Sequence, residues 1–239
     1  LIQDVYHDIE NFGAINEHPE LIDINLGNLN GQNGDWLHTN SIHYNDSLKQ
    51  IILSSRFLDE IFIIDHSTTS NEAATNSGGN SGMGGNILYR WGNPQNYGRG
   101  NENDKMLNNQ HSANWIPNNY PGGGNIIVFN NRHTPNNSSI IEIEVPINNN
   151  TNYSIDGLNS FLPVEYFWAH IIDYISPSQS GAFKLPNGNI LYTTYINNNI
   201  IEIDINGNLL WDYNINDYFP TTGNEIARAI KYDLNYFND

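Results

Sequence analysis

Three segments of the chain show a two-residue apolar–polar periodicity, the pattern of a β-strand with one buried face. They lie at 61–65, 141–145 and 201–205. Each follows an apolar, strand-like run after a short turn; these runs lie at 51–56, 126–131 and 190–195. Two of the three are followed by a further apolar run, at 85–91 and 207–213. This pattern predicts a unit of about four strands that recurs every 65 to 75 residues or so.

Each predicted unit begins with a segment of related sequence. The segments are 38–45, 111–118 and 180–187, which align without gaps on Asn45, Asn118 and Asn187. The first two begin with a histidine, His38 and His111, and the third with Ser180. A four-strand repeat of this length is typical of a β-propeller blade, and a propeller gathers the starts of its innermost strands around a central channel. We therefore expect His38 and His111 to occupy equivalent positions at one shared site.

The repeat divides most of the chain into three predicted blades. They run over 35–91, over 110–145 with a last strand within 164–174, and over 179–213. Residues 1–34 resemble the end of an upstream blade plus a connector, and 225–233 predicts either a short helix or the start of another blade. Three blades do not close a propeller. The expected fold is therefore all-β, a single and incomplete β-propeller domain over residues 1–239.

Composition narrows the possible partners. The chain has 9 Lys+Arg against 26 Asp+Glu and a formal net charge of -17, which disfavours nucleic acid and anionic membrane surfaces. No apolar run is long enough to span a bilayer. The absence of cysteine excludes thiolate catalysis, disulfides and cysteine zinc sites. Residue 1 is Leu and no apolar leader follows it, so we expect either a removed signal or a fragment.

Four residues of the first two units form a candidate catalytic group. Asn40 lies two residues after His38, so both side chains share one face of a strand, and Arg56 ends the next strand. Together with His111, they would surround an oxyanion, because a guanidinium fork matches tetrahedral oxyanions. Two histidines with an asparagine could also bind a metal, but the adjacent Arg56 would repel a cation. The remaining alternative is structural: hydrogen-bonded histidines, and Arg56 paired with a carboxylate at position 59 or 60.

A second set of candidates lies outside this group. Arg90 and Trp91 are candidates for holding an aromatic ring and its anionic group, with core packing as the alternative. His66 either caps a strand end or lines the site.

Six stretches of the chain resemble the bacterial arylsulfotransferases, which need no nucleotide sulfate donor (they are PAPS-independent). The stretches are Asp35–Ser41, Ile52–Arg56, Ile64–Ser67, Tyr89–Pro94, Gln110–His111 and Gly124–Asn130. The combination of His-x-Asn, Ser-Ser-Arg and Gln-His is the specific part of the match. The resemblance implies a six-bladed propeller with a transiently sulfurylated histidine. By motif, that nucleophile corresponds to His111.

The resemblance also implies supporting roles for His38, Asn40 and Arg56. One further histidine of the family lies upstream of the Asp-Trp-x-His motif; His7 is one candidate, and a missing N-terminal blade is the other. The implied activity is ping-pong transfer of a sulfuryl group from a phenolic sulfate ester to an acceptor phenol. It requires no cofactor or metal, and the implied location is periplasmic or exported. The rival hypothesis is a non-catalytic propeller that binds a ligand or protein across its channel face.

Overall fold

The computed structural model describes residues 5–6, 8–26, 34–148, 152–155, 159–218 and 226–236. Within these residues the chain is all-β, with three four-stranded antiparallel sheets and two small two-stranded ones. The only α-helix in the described ranges is α1 (Ile9–Phe12). Short 3₁₀ helices lie at Ile15–Glu17, Ile24–Leu26, Glu72–Ala74, Pro94–Tyr97, Glu102–Asp104 and Ile215–Asp217. No helix in this part of the chain is long and apolar enough to cross a membrane.

The three large sheets follow the chain one after another. The first contains β3 (Thr39–Asn45), β4 (Gln50–Ser55), β5 (Glu60–Asp65) and β6 (Ile87–Trp91). The second contains β7 (His111–Trp115), β8 (Ile126–Asn130), β9 (Ser138–Ile143) and β12 (Trp168–Ile172). The third contains β13 (Gly181–Lys184), β14 (Ile190–Thr194), β15 (Asn199–Ile203) and β16 (Leu209–Asn214). In the first and third sheets, neighbouring strands are also neighbours along the sequence. In the second, β12 pairs with β9 after an intervening segment that contains two further short strands. The predicted four-strand unit is thus confirmed three times.

The flanking elements are short. β1 (Val5–Tyr6) pairs in parallel with β2 (Ile22–Asp23), and β10 (Ile147–Asn148) pairs with β11 (Asn152–Tyr153). The predicted helix or strand after residue 225 does not form within 226–236, which has no regular structure beyond a turn. His7, the candidate for the additional family histidine, lies outside the described residues.

The core lies between the sheets. One cluster joins the first sheet to the second, with Ile61 and Trp91 packed with Trp115 and Val128. A second cluster joins the second sheet to the third, with Phe129 among its members. The second sheet is therefore covered on both faces, which explains why β8 reads as a continuous apolar run rather than an alternating one. Burial of both faces fixes the order in which the three sheets pack.

The starts of the first strands lie together, but not in the predicted register. Strand β7 contacts both β3 and β13. The residue that pairs with the next-to-last position of the second strand is Ser41 in the first sheet, His111 in the second and Gly181 in the third. His38 and Ser180 instead precede their strands. The predicted equivalence of His38, His111 and Ser180 is therefore wrong, because register shifts in β3 and β7 add residues that an ungapped comparison cannot detect.

Candidate active site

An open cleft of about 660 Å³ lies where β3, β7 and β13 begin. All four predicted catalytic residues line it, namely His38, Asn40, Arg56 and His111. The cleft thus brings together the four residues that were expected to share one site, although His38 and His111 do not occupy equivalent strand positions. The cleft is completed by Ser41, Ile42, Ser112, Ser178, Gln179, Ser180, Ala227 and Arg228.

The backbone around the cleft is unusual. His38, Ser112 and Ser180 have φ angles of 44°, 60° and 73°, in the left-handed region that residues other than glycine rarely adopt. Asn109 and Gln179 share this conformation. Such conformations cost free energy and cluster where a fold must aim side chains at a site. Here they turn the chain sharply at the start of each first strand.

The ring of His111 is held by one nitrogen. Its Nδ1 lies 2.8 Å from Oδ1 of Asn131 and 3.0 Å from the carbonyl oxygen of Asn109. Asn131 in turn donates from Nδ2 to the carbonyl oxygens of Ser176 and Gln179, so its own oxygen must face the imidazole. Both partners of Nδ1 are acceptors, which places the proton on Nδ1. The lone pair of the neutral ring is therefore on Nε2.

The surroundings of His111 keep the imidazole neutral. Burial lowers its pKa below the usual 6.5, and the positive charges of Arg56 and His38 lower it further. The hydrogen bonds to Asn131 and to the Asn109 carbonyl oppose this shift, but they do not reverse it. At pH 7 the ring is a neutral base with an available lone pair.

Gln110, the other member of the Gln-His motif, is a structural anchor. It is completely buried, and its Nε2 lies within hydrogen-bonding distance of Ser54 Oγ, the Ser55 carbonyl and the Glu60 carbonyl. The start of β7 is thereby fixed to the end of β4 and the beginning of β5 in the first sheet. This contact brings His111 to the residues of β3 and β4.

His38 has a carboxylate partner that the sequence analysis did not single out. Its Nδ1 lies 2.6 Å from Oδ2 of Asp35, and its ring packs against Phe57 with centroids 4.8 Å apart. The pair fixes the orientation of the His38 ring and assigns the Nδ1 proton to the carboxylate side, leaving Nε2 to exchange protons. The signal for Asp35 was the Asp-Trp-x-His spacing.

Arg56 is not paired with an acid. Its Nε donates to Asn109 Oδ1 at 3.2 Å, and its guanidinium carbon lies 5.5 Å from the Phe57 ring centroid. The two carboxylates considered as alternatives are engaged elsewhere, Asp59 by Lys105 and Glu60 by Arg90. Among the described residues, Arg56 has no carboxylate partner. Its two terminal nitrogens remain for an anion.

Asn40 lies in the irregularity between Thr39 and Ser41 rather than on a regular strand. Its Nδ2 donates to the Gln110 carbonyl at 2.7 Å, which leaves one N–H of the amide. Its Oδ1 is buried without a hydrogen-bond partner in the described part of the chain. The Gln110 contact links Asn40 to the same strand start that carries His111.

Arg90 and Trp91 do not reach this cleft. Arg90 is fully buried, with a bidentate ion pair to Glu60 and a third bond to the Leu21 carbonyl. Trp91 is 4% exposed and donates to the Pro163 carbonyl. Their surroundings match the core-packing alternative and leave no room for a substrate. The expectation that they bind an aromatic sulfate is corrected on this ground.

His66 also lies away from the cleft. It is exposed after the end of β5, where its ring meets Tyr44 edge-on with centroids 5.4 Å apart. The other eight residues that line the cleft were not predicted as site residues, among them Ser112, Ser180 and Arg228. In the sequence, Ser112 and Ser180 are marked only by their positions at the starts of predicted strands, and no local pattern marks Arg228.

Comparison with known proteins gives one family. The model of the family described as Arylsulfotransferase (ASST) matches residues 15–194, which include His38, Asn40, Arg56 and His111 but not Arg228. No curated protein matches the chain significantly.

Several solved structures are similar in part. A protein of unknown function from Bacteroides caccae has a TM-score of 0.39 and 17% identity over 73% of this chain and 45% of its own. A nidogen/laminin complex has a TM-score of 0.34 and 12% identity, over 73% of this chain and 63% of the other. Inactive virginiamycin B lyase from Staphylococcus aureus, solved with quinupristin, has a TM-score of 0.29 and 14% identity, over 77% and 72%. The chain thus spans less than two thirds of the first two of these proteins.

Proposed function

Because the chain belongs to the arylsulfotransferase family, we propose that it moves a sulfuryl group from a phenolic sulfate ester to an acceptor phenol through a sulfohistidine. The observation that carries the mechanism is the state of His111. Its Nδ1 is bonded to two oxygen acceptors, so a neutral ring presents Nε2 as a nucleophile. The same cleft holds the guanidinium of Arg56, which has no carboxylate partner among the described residues. No nucleotide sulfate donor enters the reaction.

In the first half-reaction, the Nε2 lone pair of His111 forms a bond to sulfur. The bond between sulfur and the phenolic oxygen breaks, and its electron pair leaves with the phenolate. A low pKa supports this step, because a protonated imidazole has no lone pair on Nε2. The product is a sulfuryl group on His111 and a free phenol after protonation.

Arg56 and Asn40 stabilise the transferring group. Sulfuryl transfer resembles phosphoryl transfer, in which charge spreads over the peripheral oxygens and positioned donors supply most of the catalysis. The terminal nitrogens of Arg56 and the remaining N–H of Asn40 are the donors assigned to these oxygens. The ring of Phe57, which packs on both Arg56 and His38, holds the guanidinium in place.

His38 moves the proton. A phenol has a pKa near 10, so the departing oxygen gains from a proton and the incoming phenol from a base. Protonated His38, held by Asp35, donates from Nε2 to the leaving phenolate and becomes neutral. In the second half-reaction it accepts the proton of the acceptor phenol while that oxygen attacks sulfur. The N–S bond then breaks and its electron pair returns to His111.

The proposal extends to the architecture and location of the protein. The three sheets are blades of a β-propeller that is six-bladed in the family and incomplete here. Their packing in sequence order, with the first strands side by side, supports this assignment. An exported or periplasmic location is proposed on family membership alone.

The test is transfer from 4-nitrophenyl sulfate, followed by trapping of the intermediate. We expect nitrophenolate release that depends on an added phenol. We also expect protein quenched with donor alone to carry one SO₃ on the His111 peptide. His111→Ala should abolish the adduct, whereas His38→Ala should slow its formation and leave it detectable.

Three results would contradict the proposal. Release without an acceptor would indicate a sulfatase. A sulfuryl group on His38, or an adduct that survives in His111→Ala, would reject His111 as the nucleophile. If neither nitrophenolate release nor a sulfuryl adduct is observed, the result favours the rival hypothesis, a non-catalytic binding protein.

A further inference from the structure

A second arginine faces the cleft from a part of the chain outside the matched family region. Arg228 lines the cleft together with Ala227, and both belong to the segment 226–231 that follows the third sheet. Two contacts anchor this segment: Ile226 is 7% exposed, and Thr193 Oγ1 donates to the Ala227 carbonyl at 3.3 Å. Arg228 is thus placed at the cleft by the anchoring of the two residues that precede it in the sequence.

Gly181 allows this close approach. A Cβ atom at this position would lie 3.0 Å from Ser112 Oγ and 3.2 Å from Arg228 Cβ. Both distances are tighter than ordinary carbon contacts, so a larger residue would push the segment away from β13. The glycine at the start of β13 therefore sets the position of Arg228 against the cleft wall.

The charges of the cleft differ from those of the whole molecule. The chain has a net charge of -17, yet none of the residues that line the cleft is acidic. Two of the five arginines, Arg56 and Arg228, face this one space, and neither has a carboxylate partner among the described residues. Two unpaired guanidinium groups in one cleft favour a ligand with more than one anionic group.

The two arginines occupy different parts of the cleft. Arg56 donates to Asn109 and lies near the Phe57 ring, at the junction of the first and second sheets. Arg228 instead packs beside Gly181 and Ser112, at the junction of the second and third sheets. Ile42, whose side chain is 65% exposed, adds an apolar surface to the same space. An aromatic ring with its reacting oxygen near Arg56 would extend its far end towards Arg228.

We propose that Arg228 binds an anionic substituent, such as a carboxylate, on the aryl substrate at the end opposite the reacting phenolic oxygen. The substrates of this protein are then phenols with a carboxylate-bearing side chain, and their sulfate esters. This specificity rests on the proposed function, since it concerns the same cleft.

The test compares two ligands that differ only in charge. 4-Hydroxyphenylacetate and its neutral isostere 4-hydroxyphenylacetamide are titrated calorimetrically into the full chain, into Arg228→Gln and into Arg132→Gln. Arg132 is an exposed arginine that does not line the cleft, so its variant matches the charge change. We expect the wild type and Arg132→Gln to bind the carboxylate at least about tenfold more tightly than the amide. Arg228→Gln should lose this preference and keep its affinity for the amide.

Equal binding of the two ligands by the wild type would overturn the inference. So would a preference that survives in Arg228→Gln, or a loss of affinity for both ligands in that variant. The proposed function is tested by a different measurement. It is contradicted if 4-nitrophenyl sulfate releases no nitrophenolate when an uncharged phenol is added as the acceptor. The binding preference does not require turnover, so the two failures are distinguishable.

Discussion

At His111, one nitrogen of the imidazole holds the ring and the other is left for chemistry. Asn131 and the Asn109 carbonyl accept from Nδ1, and burial disfavours a second proton on the ring. The environment of His38 differs from that of His111, because the Nδ1 atom of His38 faces the carboxylate of Asp35. With Asp35 on that side, Nε2 is left to accept or donate a proton, and this arrangement suits proton transfer better than attack on sulfur.

Arg56→Lys tests whether the shape of the cation matters at this position. Lysine keeps the charge but loses the planar fork, so we expect a loss of about 2 kcal/mol in transition-state stabilisation, roughly 30-fold in kcat/KM. The acid limb of the kcat/KM profile should stay in place, because the charge near His111 is kept. Arg56→Gln removes that charge, so the pKa of His111 rises and the acid limb moves to higher pH. Near-normal turnover in Arg56→Lys would make Arg56 a structural residue.

Between elements, Asn131 connects the end of β8 to the loop before β13. One side chain holds the His111 ring on one side and two carbonyl groups, of Ser176 and Gln179, on the other. The geometry of the nucleophile is thus tied to the contact between the second and third sheets. Loosening that loop should loosen the imidazole as well.

Asn131→Ala tests this coupling. The buried Ser176 carbonyl and the partly buried Gln179 carbonyl each lose a donor, so we expect the free energy of unfolding to fall by about 1–3 kcal/mol and sulfurylation of His111 to slow. The pKa of His111 should fall further, since the Asn131 bond raises it, and the acid limb should move to lower pH. Asn137→Ala is the control. Like Asn131, Asn137 donates from its side-chain amide to a backbone carbonyl, in this case that of Ile172. It should lose stability without a change in sulfurylation, and equal slowing in both variants would contradict the coupling.

Across the whole molecule, Arg90 connects the first sheet to the N-terminal segment. Its guanidinium pairs with Glu60, bonds the Leu21 carbonyl and stacks near the rings of Phe62 and Tyr97. The pair is completely buried, so loss of either partner leaves a charge without water or counter-charge. Arg90 therefore contributes to stability, whereas Arg56 and Arg228 line the cleft.

Arg90→Met should lower the free energy of unfolding by about 3–5 kcal/mol, measured by denaturant titration. The double variant with Glu60→Leu should recover much of this loss, because no charge is then left buried. The exposed Lys49–Asp46 pair is the control, and Lys49→Met should change little. If Arg90→Met kept wild-type stability and raised KM for the donor instead, Arg90 would be a substrate ligand after all.

The sequence alone determined the repeating unit and the grouping of the four candidate catalytic residues. The four-strand repeat follows from local periodicity and turns, which the chain carries in each segment independently. The same repeat placed His38, Asn40, Arg56 and His111 near one another, and the cleft brings them together. The sequence can predict this grouping because the residues along each segment determine where its strands begin, and the repeat brings equivalent strand starts together.

Tertiary structure alone decided the register, the partners and the unmarked residues. Bulges shift pairing without a sequence signal, so the equivalence of His38 and His111 could not be judged from spacing. Whether an arginine faces a ligand or a buried acid depends on contacts between distant segments, as Arg90 and Glu60 illustrate. Arg228 reaches the cleft only because a later segment packs against Gly181. These features depend on which surfaces meet after folding, and periodicity describes only one strand at a time.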